Sequence, residues 1–404
     1  MTVGAFPRDV VLFSTADWDS PYWTNNQHVA ARLASQGANV LYVESVGLRS
    51  PRWNRVDASR IVRRLSRGLR GLRQVNEHLW VLSPLTVPVG YPFALARPYN
   101  KWLICNRIRS WLNLVGGNRP LVWTYQPFML EAAAAIDAEV LVYHCVDDLS
   151  AIPGINSAAF KEAELQLLAT ANHIFVSSSA LYARCAKIAP TRTQYSPNVA
   201  DIEHFARARQ RRPLPHDLEV IPHPRVGYVG LLAEHKTDFE LLATIAAARP
   251  EWHFVLLGDV WQGRPSSQLV PLLELPNVHN LGWRPYSLLP DYLRGIDVAL
   301  LPQQRNDYTA AMFPMKFFEY LAAGCPVVAT PLPALRGFQA FHQVASGSDE
   351  FIVAIEAALT SKVSHTLPVD HPVLQAHSWT TRLSEMMASI TDSSNRLHLE
   401  SDSI

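Results

Sequence analysis

Charge is scarce in this chain. Of its 404 residues only 18% are Asp, Glu, Lys or Arg, and the formal net charge is +1. A near-neutral chain offers no overall electrostatic case for nucleic acid. Cysteine is scarcer still: Cys105, Cys145, Cys185 and Cys325 are widely spread and form no CxxC pair. Isolated cysteines in a long chain are more often reduced and buried than cross-linked, although two disulfides stay open on count alone. No run of about 18 apolar residues occurs, so no segment reads as a membrane span. The amino terminus, MTVGAFPRDVVLFST, lacks a basic region followed by a long apolar stretch, and it reads as a first strand rather than a signal peptide. These absences together place the chain in the cytoplasm.

What is present is an ordinary folded composition, 48% hydrophobic, and enough length for two cores. In the first half, strand-like runs at Val10–Ser14, Val40–Val43, Trp80–Ser83, Leu121–Tyr125, Val140–Tyr143 and His173–Val176 alternate with helical spacing at Gln27–Ser35, Phe128–Ala135 and Ala158–Ala169. Such alternation predicts a parallel sheet covered on both faces. The segment Arg207–Pro224, RARQRRPLPHDLEVIPHP, has four prolines and little periodicity, and reads as a linker. Beyond it the alternation restarts, with strands at Arg225–Val229, His253–Leu257, Val278–Leu281, Asp297–Leu301 and Val327–Ala329. Helices are expected at Asp238–Ala248, Met315–Ala323, Glu350–Leu359 and Thr380–Ile390. The domains read as 1–206 (amino-terminal), 207–224 (linker), 225–378 (carboxyl-terminal) and 379–404 (closing helix and tail). Ligands of such sheets bind beyond the carboxyl ends of the strands.

The most informative stretch is Phe313–Thr330, FPMKFFEYLAAGCPVVAT. Pro314 suits a helix start, and Gly324 with Pro326 suits its end. Spacing of three puts Lys316 and Glu319 on one face. A cation in a first turn opposes the helix dipole, a conflict that an arriving anion would resolve. Glu319, one turn on, can accept two hydrogen bonds from a ribose diol. An ordinary surface Lys–Glu pair is the competing reading. The chain has six lysines against thirty arginines, so a lysine in this segment and another at Lys236 stand out.

This segment resembles the donor-site signature P-x-K-x-x-E-Y-x-A-x-G-x-P-V-V of GT-B glycosyltransferases of the family 4 type. The resemblance implies a GT-B fold: α/β, two Rossmann-like domains facing across a cleft, with a carboxyl-terminal helix crossing back. It implies a nucleoside-diphosphate sugar as donor, with Met315, Lys316 and Glu319 at the nucleotide. Met312 stands where the family often has a second glutamate. RVGYVG at Arg225–Gly230 followed by Lys236 is similar to the family's first strand and glycine loop, which places Gly230 and Lys236 near the diphosphate; Leu231 stands where an arginine is common. Arg284 falls where the base is received. SPNVADIEHF at Ser196–Phe205 and the helix from Trp379 are further matches. The first half is similar to bacterial polysaccharide-assembly transferases such as the teichuronic acid type.

At the acceptor side, the strand ending at Tyr143 runs into His144, Asp147 and Asp148, and the first strand runs into Asp17 and Asp19. His144 matches a strand-end histidine of the family, while Asp147 and Asp17 are candidates for orienting an acceptor hydroxyl or acting as general base. Helix capping by Asp147 or Asp148 is the alternative. No DxD motif suggests itself, so no essential metal and no cofactor are expected. Family relatives retain anomeric configuration.

Between Arg49 and Arg73 lie nine arginines against one acid, Asp57. Arg60, Arg63, Arg64, Arg67 and Arg70 interleave with Ile61, Leu65, Leu69 and Leu72 at helical spacing, the pattern of an interfacial helix on an anionic bilayer. The expectation is a peripheral protein on the inner face of the cell membrane, acting on a saccharide or lipid-linked acceptor. Two other readings stay open: a sugar-nucleotide epimerase of the same fold, and a non-catalytic membrane-associated scaffold.

Overall fold

The computed structural model describes residues 7–20, 23–45, 71–84, 96–152, 154–360 and 367–401. The chain forms two units, Met1–Pro197 with Leu383–Ile404, and Asn198–Arg382. Arg60, Arg63, Arg64, Arg67 and Arg70 lie outside the described residues.

The first unit holds eight strands: β1 (Asp9–Phe13), β2 (Asn39–Val43), β3 (Leu72–Asn76), β4 (Leu79–Leu82), β5 (Leu121–Thr124), β6 (Val140–Cys145), β7 (His173–Val176) and β8 (Thr193–Tyr195). Their order is β3-β4-β2-β1-β5-β6-β7-β8, parallel except for β3 against β4. β1, β5 and β7 are buried along their whole length, as expected of central strands covered on both faces. Its longer helices in chain order are α1 (Asn25–Ser35), α2 (Ala96–Val115), α3 (Ser157–Thr170) and α4 (Ser179–Ala186), and the helix expected at Phe128–Ala135 is a short one, Leu130–Ala135, after the turn Pro127–Met129. α2 turns Ile104, Cys105, Ile108, Trp111 and Leu112 into the core.

Two sequence expectations change here. The helical stripe does not extend to Leu72 and Arg73, because these residues open β3, where Leu72 pairs with Leu82 and Arg73 with Val81. Arg73 is also held by Asp19 at 2.7 Å. α2 and α4 are additional to the elements read from the sequence.

The second unit holds β9 (Arg225–Val229), β10 (His253–Leu257), β11 (Val278–Gly282), β12 (Val298–Leu301), β13 (Val327–Ala329) and β14 (Gln343–Val344), all parallel, in the order β11-β10-β9-β12-β13-β14. Its longer helices are α5 (Phe239–Ala248), α6 (Met315–Ala323) and α7 (Ser348–Thr360); α8 (Trp379–Ser401) begins here and from Leu383 belongs to the first unit, where Ser389 meets Gln194 of β8.

Residues 207–224, read as a linker, lie in this second unit, and Ala208, Leu218 and Ile221 enter its core. One arginine of the run has a specific task. The Arg209 guanidinium donates to Leu321 O (2.8 Å), Ala322 O (2.7 Å) and Leu367 O (2.6 Å). Two of these are carbonyls of the last turn of α6, which lack an i+4 donor within the helix; Leu321 O also accepts Gly324 N at 3.1 Å. Gly324, at φ 86°, completes the ending, with Cys325 N on Tyr320 O at 3.0 Å. Replacing Arg209 with Ala should destabilise the chain by about 1.5–3 kcal/mol, the range for hydrogen bonds to a charged group. Arg209→Lys should recover little, because a single ammonium cannot span three carbonyls. An unfolding midpoint unchanged by Arg209→Ala would refute this capping role.

Candidate functional site

In the second unit the chain leaves β9 in one direction to β10 and β11, then returns to place β12 on the other side. The reversal lies between β9 and β12, the position at which open α/β sheets leave a crevice. Pairing between these strands is confined to Val226–Val298 and Gly227–Ala299, so they part before their carboxyl ends. The phenol of Tyr320, from α6, fills the gap: it accepts Val229 N at 2.9 Å and reaches Val229 O at 3.4 Å. Tyr320 is fully buried, and burial holds its pKa well above the ordinary value, so it acts as a neutral phenol.

Two chain segments emerge at this opening. After β9 run Gly230 to Asp238; after β12 run Pro302 to Met312. They are joined side by side. Asp238 N donates to Pro302 O (2.8 Å), Gln304 N to Lys236 O (2.8 Å) and Asn306 Nδ2 to His235 O (2.9 Å). Thr237 and Gln303 form a bridge, and the Thr237 hydroxyl lies 2.8 Å from Tyr228 Oη. Gly230 N is held by Leu257 O at 2.9 Å, and a Cβ at Gly230 would stand 3.0 Å from that same Tyr228 oxygen. Aromatic rings surround the segment. The His235 ring lies 4.7 Å from Trp261 and 5.4 Å from Tyr308, and Lys236 Nζ stands 5.9 Å from the Tyr308 centroid.

α6 starts at the same end of the sheet. Pro314 occupies its N-cap and makes no side-chain capping bond; Phe317 N turns back to Pro314 O at 3.1 Å, and the N–H groups of Met315 and Lys316 before it have no capping side chain, as at a helix start that can take an anion. The Phe313 carbonyl just before it is held by Asn198 Nδ2 at 2.8 Å, which gives the Ser196–Phe205 segment a task in positioning this helix. Lys316 Nζ lies 2.6 Å from Glu319 Oε2, with the lysine 22% exposed and the glutamate 2% exposed. Glu319 is therefore no solvated surface partner; a buried carboxylate needs its cation. Met315 is half-buried beside them, and Met312 is buried.

Gly230, Lys236, Met315, Lys316 and Glu319 are thus gathered at one end of one sheet. Arg284 is held elsewhere in the unit by Asp217 and by Tyr292 Oη at 2.5 Å. Among the described residues no group of three or more His, Cys, Asp or Glu could hold a metal ion.

In the first unit the strand order reverses between β1 and β5. His144, on β6, is 2% exposed, with Nδ1 3.2 Å from Tyr125 Oη and its ring against Trp123 and Phe175. Asp148 caps the turn Leu149–Ala151 and pairs with Arg184 at 3.4 Å, while Asp147 is half-buried beside it. Asp17, also half-buried, offers its carbonyl to Gln27 Nε2 at 2.9 Å. Two buried polar groups here escaped sequence reading. Glu44 accepts Trp18 N (2.8 Å) and the Ser83 hydroxyl (2.6 Å), and Gln126 Nε2 donates to Ser14 O (2.6 Å). Glu44 stands directly after an apolar strand and Gln126 two residues after one, the one signal by which they could have been found.

Residues 223–367 match the family model for glycosyl transferases group 1. The Bacillus subtilis (strain 168) protein TuaH, described as a teichuronic acid biosynthesis glycosyltransferase, is 29% identical over 260 residues. The match covers 60% of this chain and 64% of that relative, so the chain spans less than two thirds of the relative's length. Solved structures match almost throughout. Sucrose-phosphate synthase from Thermosynechococcus elongatus has a TM-score of 0.66 at 16% identity, covering 95% of this chain and 98% of that one. Anabaena Alr3699/HepE in complex with UDP has a TM-score of 0.64 at 14% identity, covering 95% and 100%. At these identities the likeness is one of fold.

The contact between Tyr320 and Val229 makes a prediction that needs no ligand. Tyr320→Phe removes the acceptor of a buried backbone N–H and should cost about 1–3 kcal/mol of stability. Amide exchange at Val229 should speed up with it. An unchanged midpoint with unchanged exchange at Val229 would show that the phenol does not secure the opening.

Proposed function

From a chain of GT-B fold whose second unit contains a glycosyl transferases group 1 domain, we propose a glycosyltransferase that moves a sugar from a nucleoside-diphosphate sugar to a saccharide or lipid-linked acceptor. Its place is in polysaccharide or glycoconjugate synthesis, in keeping with the description of the Bacillus relative. The observation that carries this reading is the buried Glu319, held by Lys316 at the uncapped start of α6, beside the strand reversal that also presents Lys236.

The chemistry follows from charge. Cleavage of the bond between the anomeric carbon and the phosphate oxygen leaves its electron pair on the departing diphosphate. Lys236, Lys316 and the uncapped start of α6 would stabilise that charge electrostatically. Glu319 would take the hydroxyls of the nucleotide ribose, sharing its carboxylate with Lys316. In this scheme the chain's own cations serve the leaving group, so transfer would be metal-independent, and the resemblance to family 4 transferases implies retention at the anomeric carbon. Asp17, His144 and Asp147 are assigned to the acceptor side. The buried His144 would act there by fixing neighbouring groups rather than by touching solvent-borne substrate. Arg284, tied to Asp217, would serve the base through the backbone around it.

The acceptor reading extends to a surface. Among the described residues no helix is long and apolar enough to cross a membrane. The arginines of 49–70, ahead of β3, would instead dock the chain on an anionic bilayer at its cytoplasmic face.

Two measurements test these readings. Thermal unfolding should be followed with a panel of nucleoside diphosphates and their sugars, starting with UDP and UDP-glucose, which appear in structures of Anabaena Alr3699/HepE. A ligand at about 100 times its dissociation constant should add roughly 2.7 kcal/mol to wild type. Glu319→Ala should lose that gain while its ligand-free circular dichroism stays unchanged. Absence of any shift across the panel would sink the transferase reading. For the surface, replacement of Arg60, Arg63, Arg64, Arg67 and Arg70 by Gln should abolish sedimentation with phosphatidylglycerol vesicles. Sedimentation that survives those replacements would remove the membrane assignment.

A further inference from the structure

A diphosphate brings more negative charge to the second unit than the site's lysines supply. Lys316 is already offset by Glu319 at 2.6 Å, so the pair arrives neutral. The other lysine of the site is Lys236, whose Nζ stands 5.9 Å from the Tyr308 ring centroid.

One further cation is built into the same opening. Arg305 lies between Gln304, whose N–H donates to Lys236 O at 2.8 Å, and Asn306, whose Nδ2 donates to His235 O at 2.9 Å. The backbone of Arg305 is therefore fastened on both sides to the segment that carries Lys236. The segment is tied down further on. Asn306 caps the short helix Asp307–Ala310, and Thr309 returns its hydroxyl to Gln304 O. Tyr308 of that helix holds Lys236 Nζ over its ring. On this fixed backbone the Arg305 side chain is exposed, with no hydrogen bond or ion pair among the described residues. Two residues earlier, Gln303 is 5% exposed, and its Oε1 has no hydrogen-bond partner among the described residues. A buried acceptor without a donor marks the segment as one that completes its bonding with something else.

Resting on the nucleotide-sugar reading above, we infer that Arg305 is the second cation of the donor site. Its guanidinium closes on the diphosphate with two parallel N–H donors, opposite the single charge of Lys236. A planar fork matches phosphate oxygens in pairs, so Arg305 discriminates a diphosphate from a monophosphate more sharply than a lysine would. Tethering the two segments fixes the backbones from which the two cations reach, so less of the chain has to be ordered on binding.

Isothermal titration on the full chain tests this. ADP, GDP and UDP identify the preferred base, and the matching monophosphate and nucleoside are then compared with the diphosphate. Arg305→Gln should weaken diphosphate binding by about 10- to 100-fold, equivalent to about 1.4–2.7 kcal/mol. Monophosphate binding should change by less than about threefold, and Arg305→Lys should recover part of the loss. Arg264→Gln, another exposed arginine on the neighbouring loop after β10, should bind as wild type does. Wild-type affinity in Arg305→Gln would overturn the inference while leaving the nucleotide site standing. Equal losses for monophosphate and diphosphate, or an equal loss in Arg264→Gln, would overturn it as well. A wild type that binds no nucleotide would overturn both this inference and the reading beneath it.

Discussion

Parting two strands of a parallel sheet exposes backbone groups that have lost their neighbour, and such groups must be satisfied inside a fold. At the reversal between β9 and β12 that task falls to Tyr320, whose phenol takes up Val229 N. Everything proposed about the site depends on that contact. It fixes α6 against the end of β9, so Glu319 stands one residue before the phenol and Gly230 one residue after the peptide it holds. The opening is therefore a sheet held apart, with a helix pinned across it. Arg209 secures the carboxyl end of the same helix through the carbonyls of Leu321 and Ala322, and Asn198 holds the Phe313 carbonyl just before its start. An element fastened at both ends can present a first turn with no capping side chain and keep its place.

Much of this was legible from residue patterns, for reasons that differ by element. β9, β10, β13 and α6 fall on the expected boundaries because each is a compact apolar run bracketed by Pro, Gly or a charge. β3 was not legible, since it is an edge strand whose Gln74, Val75 and Asn76 face water and carry no alternation. α2 has its core residues at helical spacing, but Trp102, Leu103 and Leu114 spread apolar side chains around the rest of its circumference and blur the stripe. The segment 207–224 misleads because prolines and arginines usually mark solvated chain. Here the prolines shape turns around buried Leu218 and Ile221, and Arg209 caps a helix.

The candidate site divides along the same line. Lys316 and Glu319 could be paired from their spacing because a helix fixes which residues are neighbours. Whether Glu319 is buried could not be read that way, and burial is what separates a surface pair from a carboxylate that needs its cation. His144 shows the opposite limit. On a strand covered on both faces, alternation no longer tells inside from outside, and its place among Trp123, Tyr125 and Phe175 is set by tertiary packing. Arg305 and Gln303 had no signal in the sequence, because their relation to Lys236 comes from a bridge between segments more than sixty residues apart.

That bridge bears on how the site manages charge. A cluster of cations without a ligand repels itself and costs stability, so a protein that must bind a diphosphate cannot simply gather arginines. The second unit separates the problem. Lys316 is neutralised by Glu319 within one helical turn, and Lys236 lies near the face of the Tyr308 ring. Arg305 remains in water, where an exposed guanidinium is fully solvated. Each cation is thus stable in the empty protein for a different local reason. On the reading proposed above, a bound nucleoside diphosphate would change all three balances together: its ribose would engage Glu319 and release the field of Lys316, while its phosphates would draw the side chains of Lys236 and Arg305 inward. Positive charge masked in the resting protein would then be in place before negative charge develops on the leaving group, and it would contribute to catalysis to the extent that its pull strengthens as that charge grows.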